Sequence, residues 1–229
     1  MDKKIFLFLI VLFLVIQKII SVIVPYNLFM YVLIGAFFYF LYKSKKYLKM
    51  ISFSWVEKNR IFKFVFEVIL YTVILYLIIF VYQWLLSLND NLFYFFNFNW
   101  DIINNISTLN LQKIEMQIFD KTNIIIKNID IILSIIYIPI AIIYEEILFR
   151  GVIYGFLKKY LKFNTLISIF ITSILFSFMH SNSINIIDFL NIFILGMFLN
   201  YIYIKKENIL YPIMIHFVYN SLILIFLYI

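Results

Sequence analysis

Residues 61–88 read IFKFVFEVILYTVILYLIIFVYQWLLSL, an apolar run whose only charges, Lys63 and Glu67, lie near its start. Twenty or so apolar residues in one helix cross a bilayer, and a helix satisfies its own backbone there. Lys63 and Glu67 stand one helical turn apart, an i,i+4 ion pair expected near the cytoplasmic end of this span. Working outward, comparable runs predict helices near 5–24, 27–42, 128–157, 164–180, 184–204 and 209–229. The fold class that follows is all-α, a polytopic transmembrane bundle of about seven spans.

Composition supports lipid as the main solvent. Hydrophobic residues make up 65% of the 229, charged residues only 14%, and the mean hydropathy is +1.02. A soluble domain cannot bury that much apolar surface. With no cysteine, disulfides, a thiol nucleophile and thiolate metal sites are excluded. No internal repeat points to an inverted-repeat transporter. Heavy use of Ile, Asn, Lys, Phe and Tyr suits an AT-rich, bacterial coding sequence.

The net charge of +7 follows topology and does not imply nucleic-acid binding. Thirteen cations fall on one set of alternating loops: Lys3 and Lys4, the 43–60 stretch, Lys158, Lys159 and Lys162, and Lys205 and Lys206. The opposite set has only Lys113, Lys121 and Lys127. The positive-inside rule then puts the N-terminus in the cytoplasm of a multi-pass cell-membrane protein. Lys3 and Lys4 before Ile5–Ile16 resemble a signal peptide, but no small-x-small cleavage site follows, so a retained anchor helix is expected. Residues 89–127 mix aromatic and Asn-rich stretches and are expected to lie along the interface. The chain thus divides into 1–127, with no specific motif, and 128–229, which holds the polar clusters.

Those clusters carry the chemistry. Ionisable groups inside a membrane span are costly and usually face a partner or a water-filled cavity. Glu145-Glu146-Ile147-Leu148-Phe149-Arg150-Gly151 comes first. On an α-helix, Glu146 and Arg150 share a face and form an ion pair, while Glu145 points roughly 140° away from Arg150. Glu145 is therefore the carboxylate left free to act as a base, against the plainer alternative of a structural ion pair beside a spare carboxylate. His180 ends the run 167–179, with Phe176 one turn before it. It is either an interfacial aromatic or a partner of the reacting water. His216 and Asn220 share a helix face about 6 Å apart. Together they can hold a developing oxyanion, or serve as interhelical polar glue. Gln17, Lys18, Gln83, Asp188, Asn191 and Asn200 read as ordinary polar groups that pair with neighbours or snorkel. The H-E-x-x-H and G-x-S-x-G patterns are absent.

Taken in order, Glu145-Glu146-x2-Phe149-Arg150-Gly151, Phe176-x3-His180 and Pro212-x3-His216-x3-Asn220 resemble the motifs of the CPBP intramembrane proteases. That family includes the type II CAAX prenyl endopeptidases and the bacteriocin-processing or self-immunity proteins. Gly196-Met197-Phe198 through Tyr211-Pro212 resembles the family's run between its second and third motifs, and the likeness covers roughly 135–225. No motif residue departs from the pattern. The resemblance implies an endopeptidase acting on a membrane-associated protein or peptide. Glu145 would activate water, His180 would orient it, and His216 and Asn220 would hold the oxyanion, with Glu146 and Arg150 in support. It implies no obligatory cofactor; a three-ligand zinc site of Glu145, His180 and His216, a metalloprotease centre, is the alternative.

Counting 1.5 Å per residue from the cytoplasmic helix ends puts His216 at about 10 Å, Glu145 at about 20 Å and His180 at about 27 Å. Meeting at one site therefore requires tilted helices, a deeper start for 164–180, or a thinned bilayer. Two rivals from other classes are a non-enzymatic immunity or scaffold protein and a proton-coupled transporter. The transporter would need Gly- or Pro-broken helices in matching halves, which the chain lacks.

Overall fold

A computed structural model describes residues 51–87, 138–180 and 186–228, together with Val15. The expected spans 5–24 and 27–42, the start of 128–157 and the interfacial segment 89–127 lie outside the described residues. Five helices account for the rest. A short 3-10 turn, Lys58–Arg60, leads into α1, Ile61–Ser87. Helix α2 covers 138–159, α3 is Thr165–His180, α4 is Ile186–Lys206 and α5 is Leu210–Tyr228. Among the described residues there is no strand.

Two of the helical stretches, Lys58–Leu86 and Ile186–Lys206, are long and apolar enough to cross a membrane, while Thr165–His180 and Leu210–Ile223 are shorter apolar helices. Helix α1 exposes Phe62, Phe66, Leu77, Phe80 and Trp84 along its length. So much contiguous apolar surface suits lipid and not water. These features suggest a membrane protein.

The chain's own chemistry sets the helix ends. Asn164 caps α3, its side-chain oxygen accepting the Ile167 amide at 2.7 Å, as a good N-cap does. Helix α2 stops at a left-handed residue, Lys162 (φ 57°), and α4 at another, Glu207 (φ 49°), each closing its helix before the next begins. Asn208 then starts α5. Its Oδ1 accepts the Leu210 amide at 3.1 Å, and its amide nitrogen donates to the Ser54 carbonyl at 2.9 Å. Residues 52–54 are thereby tied to the α4–α5 corner.

Packing brings α3 and α4 closest together. Two small, fully buried residues of α3 meet α4: Ser173 reaches Asn200 and Ser177 donates to the Phe189 carbonyl. Opposite Ser173 is Gly196, where an added Cβ would lie 3.2 Å from Phe176 Cδ1 and 3.3 Å from Ser173 Cα. Small residues let membrane helices approach this way. Helix α5 packs on α1 and α4, and α2 packs on α3. Leu75, Phe149, Phe176, Leu199, Ile202 and Ile215 form the centre of the core.

Two departures from the sequence reading matter. Residues Ile147–Tyr154 of α2 are π-helical, not α-helical. Their i→i+5 bonding widens the helix directly after the paired glutamates, a geometry that recurs at functional sites. The expected Lys63–Glu67 ion pair is replaced. Glu67 bonds Lys206 Nζ at 2.8 Å and accepts the Tyr211 hydroxyl at 2.7 Å, and Lys63 comes within ion-pair distance of no carboxylate among the described residues. A cross-helix partner already held by packing wins over a lysine free to leave for the headgroups.

Candidate active site

The adjacent glutamates go to different partners. Glu146 Oε1 accepts Arg150 Nη1 at 3.0 Å and lies 2.8 Å from His216 Nδ1. Glu145 Oε2 lies 3.2 Å from His180 Nε2, whose other ring nitrogen reaches the Phe176 carbonyl at 2.8 Å. Two carboxylate–imidazole pairs therefore sit side by side, built from α2 with α3 and from α2 with α5.

Exposure separates them. The side chains of Glu145 and His180 are 22% and 28% exposed. Those of Glu146 and Arg150 are fully buried, and that of His216 is 2% exposed. The first pair is partly exposed, whereas Glu146, Arg150 and most of His216 are enclosed by the helix packing. Phe176, itself fully buried, joins the two. Its ring centroid is 4.3 Å from that of His180 and 5.8 Å from that of His216, and the Arg150 guanidinium stands 4.3 Å above it.

Arg150 is held on three sides: Glu146, the Phe176 face, and the Gly196 carbonyl at 3.3 Å. That carbonyl also accepts Asn200 Nδ2 at 2.9 Å, and Asn200 reaches Ser173 Oγ at 3.2 Å. Gly196 and Asn200 are not among the site residues that the sequence predicts. A signal for them existed in the Gly196-x3-Asn200 spacing, one turn apart on α4, but nothing in it names Arg150 as the shared partner. The bond between Glu146 and His216 likewise had no sequence signature, since 70 residues separate the two.

Of the predicted site residues, Glu145, Glu146, Arg150, His180 and His216 come together around Phe176. The depths counted along ideal helices do not describe this arrangement, since His180 lies within hydrogen-bond reach of Glu145. Asn220 stands one turn beyond His216 on α5, half-buried, with no hydrogen bond to any of these side chains.

Residues 127–222 match the family model described as type II CAAX prenyl endopeptidase Rce1-like. Over these residues the chain is similar to the CPBP/CAAX protease family. No curated protein and no solved structure is similar enough to the chain to match it. The Rce1-like stretch begins just before α2 and takes in every polar residue of the cluster, which supports a CAAX-type protease of the membrane. His180 is committed to Glu145, while His216 is turned by its Nδ1 onto Glu146. Among the described residues no three His, Asp or Glu side chains converge as a ligand group.

Proposed function

We propose that the chain is an intramembrane endopeptidase in which Glu145 is the general base. The observation carrying this reading is the contrast in exposure: of two neighbouring carboxylates, Glu145 with its His180 partner is the partly exposed one. A water beside Glu145 gives up a proton to the carboxylate as its oxygen bonds to the substrate's peptide carbon. The carbonyl oxygen becomes an oxyanion, for which Asn220 is a donor and His216 a second when its Nε2 carries a proton. When the tetrahedral species collapses, the carbon–nitrogen bond breaks and the leaving amine takes the proton back from Glu145. His180, anchored through the Phe176 carbonyl, orients the water and the carboxylate. The substrate is a membrane-associated protein or peptide. Residues 128–229 form the catalytic core of a seven-span protein with a cytoplasmic N-terminus, and the protein needs no metal.

Comparison of the membrane proteomes of a strain carrying Glu145→Ala and its parent tests the assignment. The enzyme reading expects full-length precursors to accumulate and their shortened products to disappear. If the variant accumulates normally and the two proteomes match, while the protein's physiological effect persists, the chain acts as a scaffold or immunity protein.

A further inference from the structure

Both bonds to Glu146 land on one oxygen. Arg150 Nη1 donates to Oε1 at 3.0 Å and His216 Nδ1 lies 2.8 Å from that same atom, while Oε2 is buried without a hydrogen-bond partner among the described residues. A carboxylate oxygen paired with a guanidinium is an acceptor with no proton to give. The short contact to His216 is therefore a hydrogen bond only if Nδ1 carries the proton. Neutral histidine in water favours the opposite tautomer, so the partner of one ring nitrogen decides the state of the other. With Nδ1–H spoken for, Nε2 is the free ring atom: an acceptor when the ring is neutral, a donor when it is charged. A flipped ring would point a C–H at Oε1 and forfeit a buried hydrogen bond.

We infer that Glu146 is a positioning residue for His216, fixing its ring orientation and its Nδ1–H form so that Nε2 is the nitrogen presented to the reacting peptide. Its role then exceeds neutralising Arg150. The logic is that of an acid–histidine pair in which the buried carboxylate orients the ring and never meets substrate. The last clause of the inference, presentation to a peptide, rests on the protease reading; the ring geometry does not. His180 reaches the same state by another route, since the Phe176 carbonyl can only accept and so requires Nδ1–H there as well. At His180, however, Nε2 is already turned onto Glu145 Oε2 at 3.2 Å, so only His216 keeps Nε2 clear of a carboxylate among the described residues.

The chain has only two histidines, which makes the test direct. Full-length protein labelled with ¹⁵N at the histidine ring nitrogens, in lipid nanodiscs, gives four resonances, and a His180→Gln sample assigns them. Nδ1 of His216 is expected to carry a proton in the wild type. Two variants then separate the roles. Arg150→Met removes the guanidinium and keeps the acceptor. Glu146→Leu with Arg150→Met removes both charges together and leaves neither unpaired. The Gly196 carbonyl keeps its bond from Asn200 in each.

The single variant should retain the Nδ1–H signature of His216. The double variant should lose it, with kcat lower by on the order of 10²–10⁴ and KM nearly unchanged, the scale seen when a catalytic histidine is held in the wrong tautomer. Should the single variant not fold, the double variant against wild type decides the same point. A wild-type Nδ1 without a proton, or a double variant with wild-type spectrum and kcat, would overturn the inference and leave the protease reading standing. A wild type that cleaves nothing would end the protease reading, while the spectra would still decide the ring geometry.

Discussion

Glu146→Gln removes the counter-charge of a guanidinium with no exposure to solvent. At 3.0 Å and an effective dielectric of about 20, the lost attraction is roughly 5 kcal/mol before any relaxation. Part of Arg150's environment survives the substitution. The Gly196 carbonyl at 3.3 Å and the Phe176 face at 4.3 Å remain, and a desolvated cation–π contact is worth up to about 2 kcal/mol. The net loss should therefore be in the range of about 3–5 kcal/mol, typical of a buried pair broken on one side. Replacing both partners, as in Glu146→Leu with Arg150→Met, should fall within about 1–2 kcal/mol of wild type because no charge is left unpaired. Equilibrium unfolding in mixed micelles, on wild type, Glu146→Leu, Arg150→Met and the double, gives the coupling energy of the cycle. A Glu146→Gln protein within about 0.5 kcal/mol of wild type, with an additive double, would refute the argument. Arg150 would then be either solvated or neutralised elsewhere.

Three further outcomes are expected. A cysteine at position 162, in a chain with none of its own, should resist an impermeant external thiol reagent in intact cells; rapid labelling there would invert the proposed topology. Gly196→Ala should cost about 1–3 kcal/mol by overpacking, since the new Cβ meets Ser173 Cα, a backbone atom, at 3.3 Å; an unchanged unfolding midpoint would mean that α3 and α4 part freely. Asn220→Ala should lower kcat by roughly 10²–10³ with KM nearly unchanged, as for loss of one oxyanion donor, and activity should survive chelation with 1,10-phenanthroline. One zinc per chain, lost together with activity and restored with it, would replace the metal-free mechanism by a zinc one.

The parts of this architecture legible in the sequence are those that depend on local periodicity. Helix α1 was predicted over 61–88 and ends at Ser87; α3, α4 and α5 fall within two residues of the apolar runs that announce them. The Glu146–Arg150 pair was legible for the same reason, being a contact within one turn. The pairing of each glutamate with a histidine was not. It depends on which helices become neighbours, and apolar runs carry no record of that. The π-helical stretch was illegible too. Ile147–Tyr154 has a composition an α-helix would accept, so its residue types do not mark the wider turn. A Cβ at Gly151 would lie 2.7 Å from Ile51 Cγ1, so a segment 100 residues away packs against the widened coil.

Two neighbouring carboxylates in a low-dielectric interior repel each other, and the fold answers by giving each a cation or an imidazole of its own. Glu146 takes Arg150 and His216 and is enclosed; Glu145 takes His180 and stays partly exposed. The separation is possible because consecutive residues on a helix point about 100° apart, toward α5 on one side and α3 on the other. Phe176 stands where those directions meet, touching both imidazoles and the guanidinium. Its ring lets the three polar side chains lie close without bonding one another in the wrong combination. A smaller residue at 176 would open space for water between the pairs, solvating Glu146 and weakening the hold on Arg150. The division between an enclosed carboxylate and a partly exposed one is thus maintained by an apolar side chain as much as by the charges.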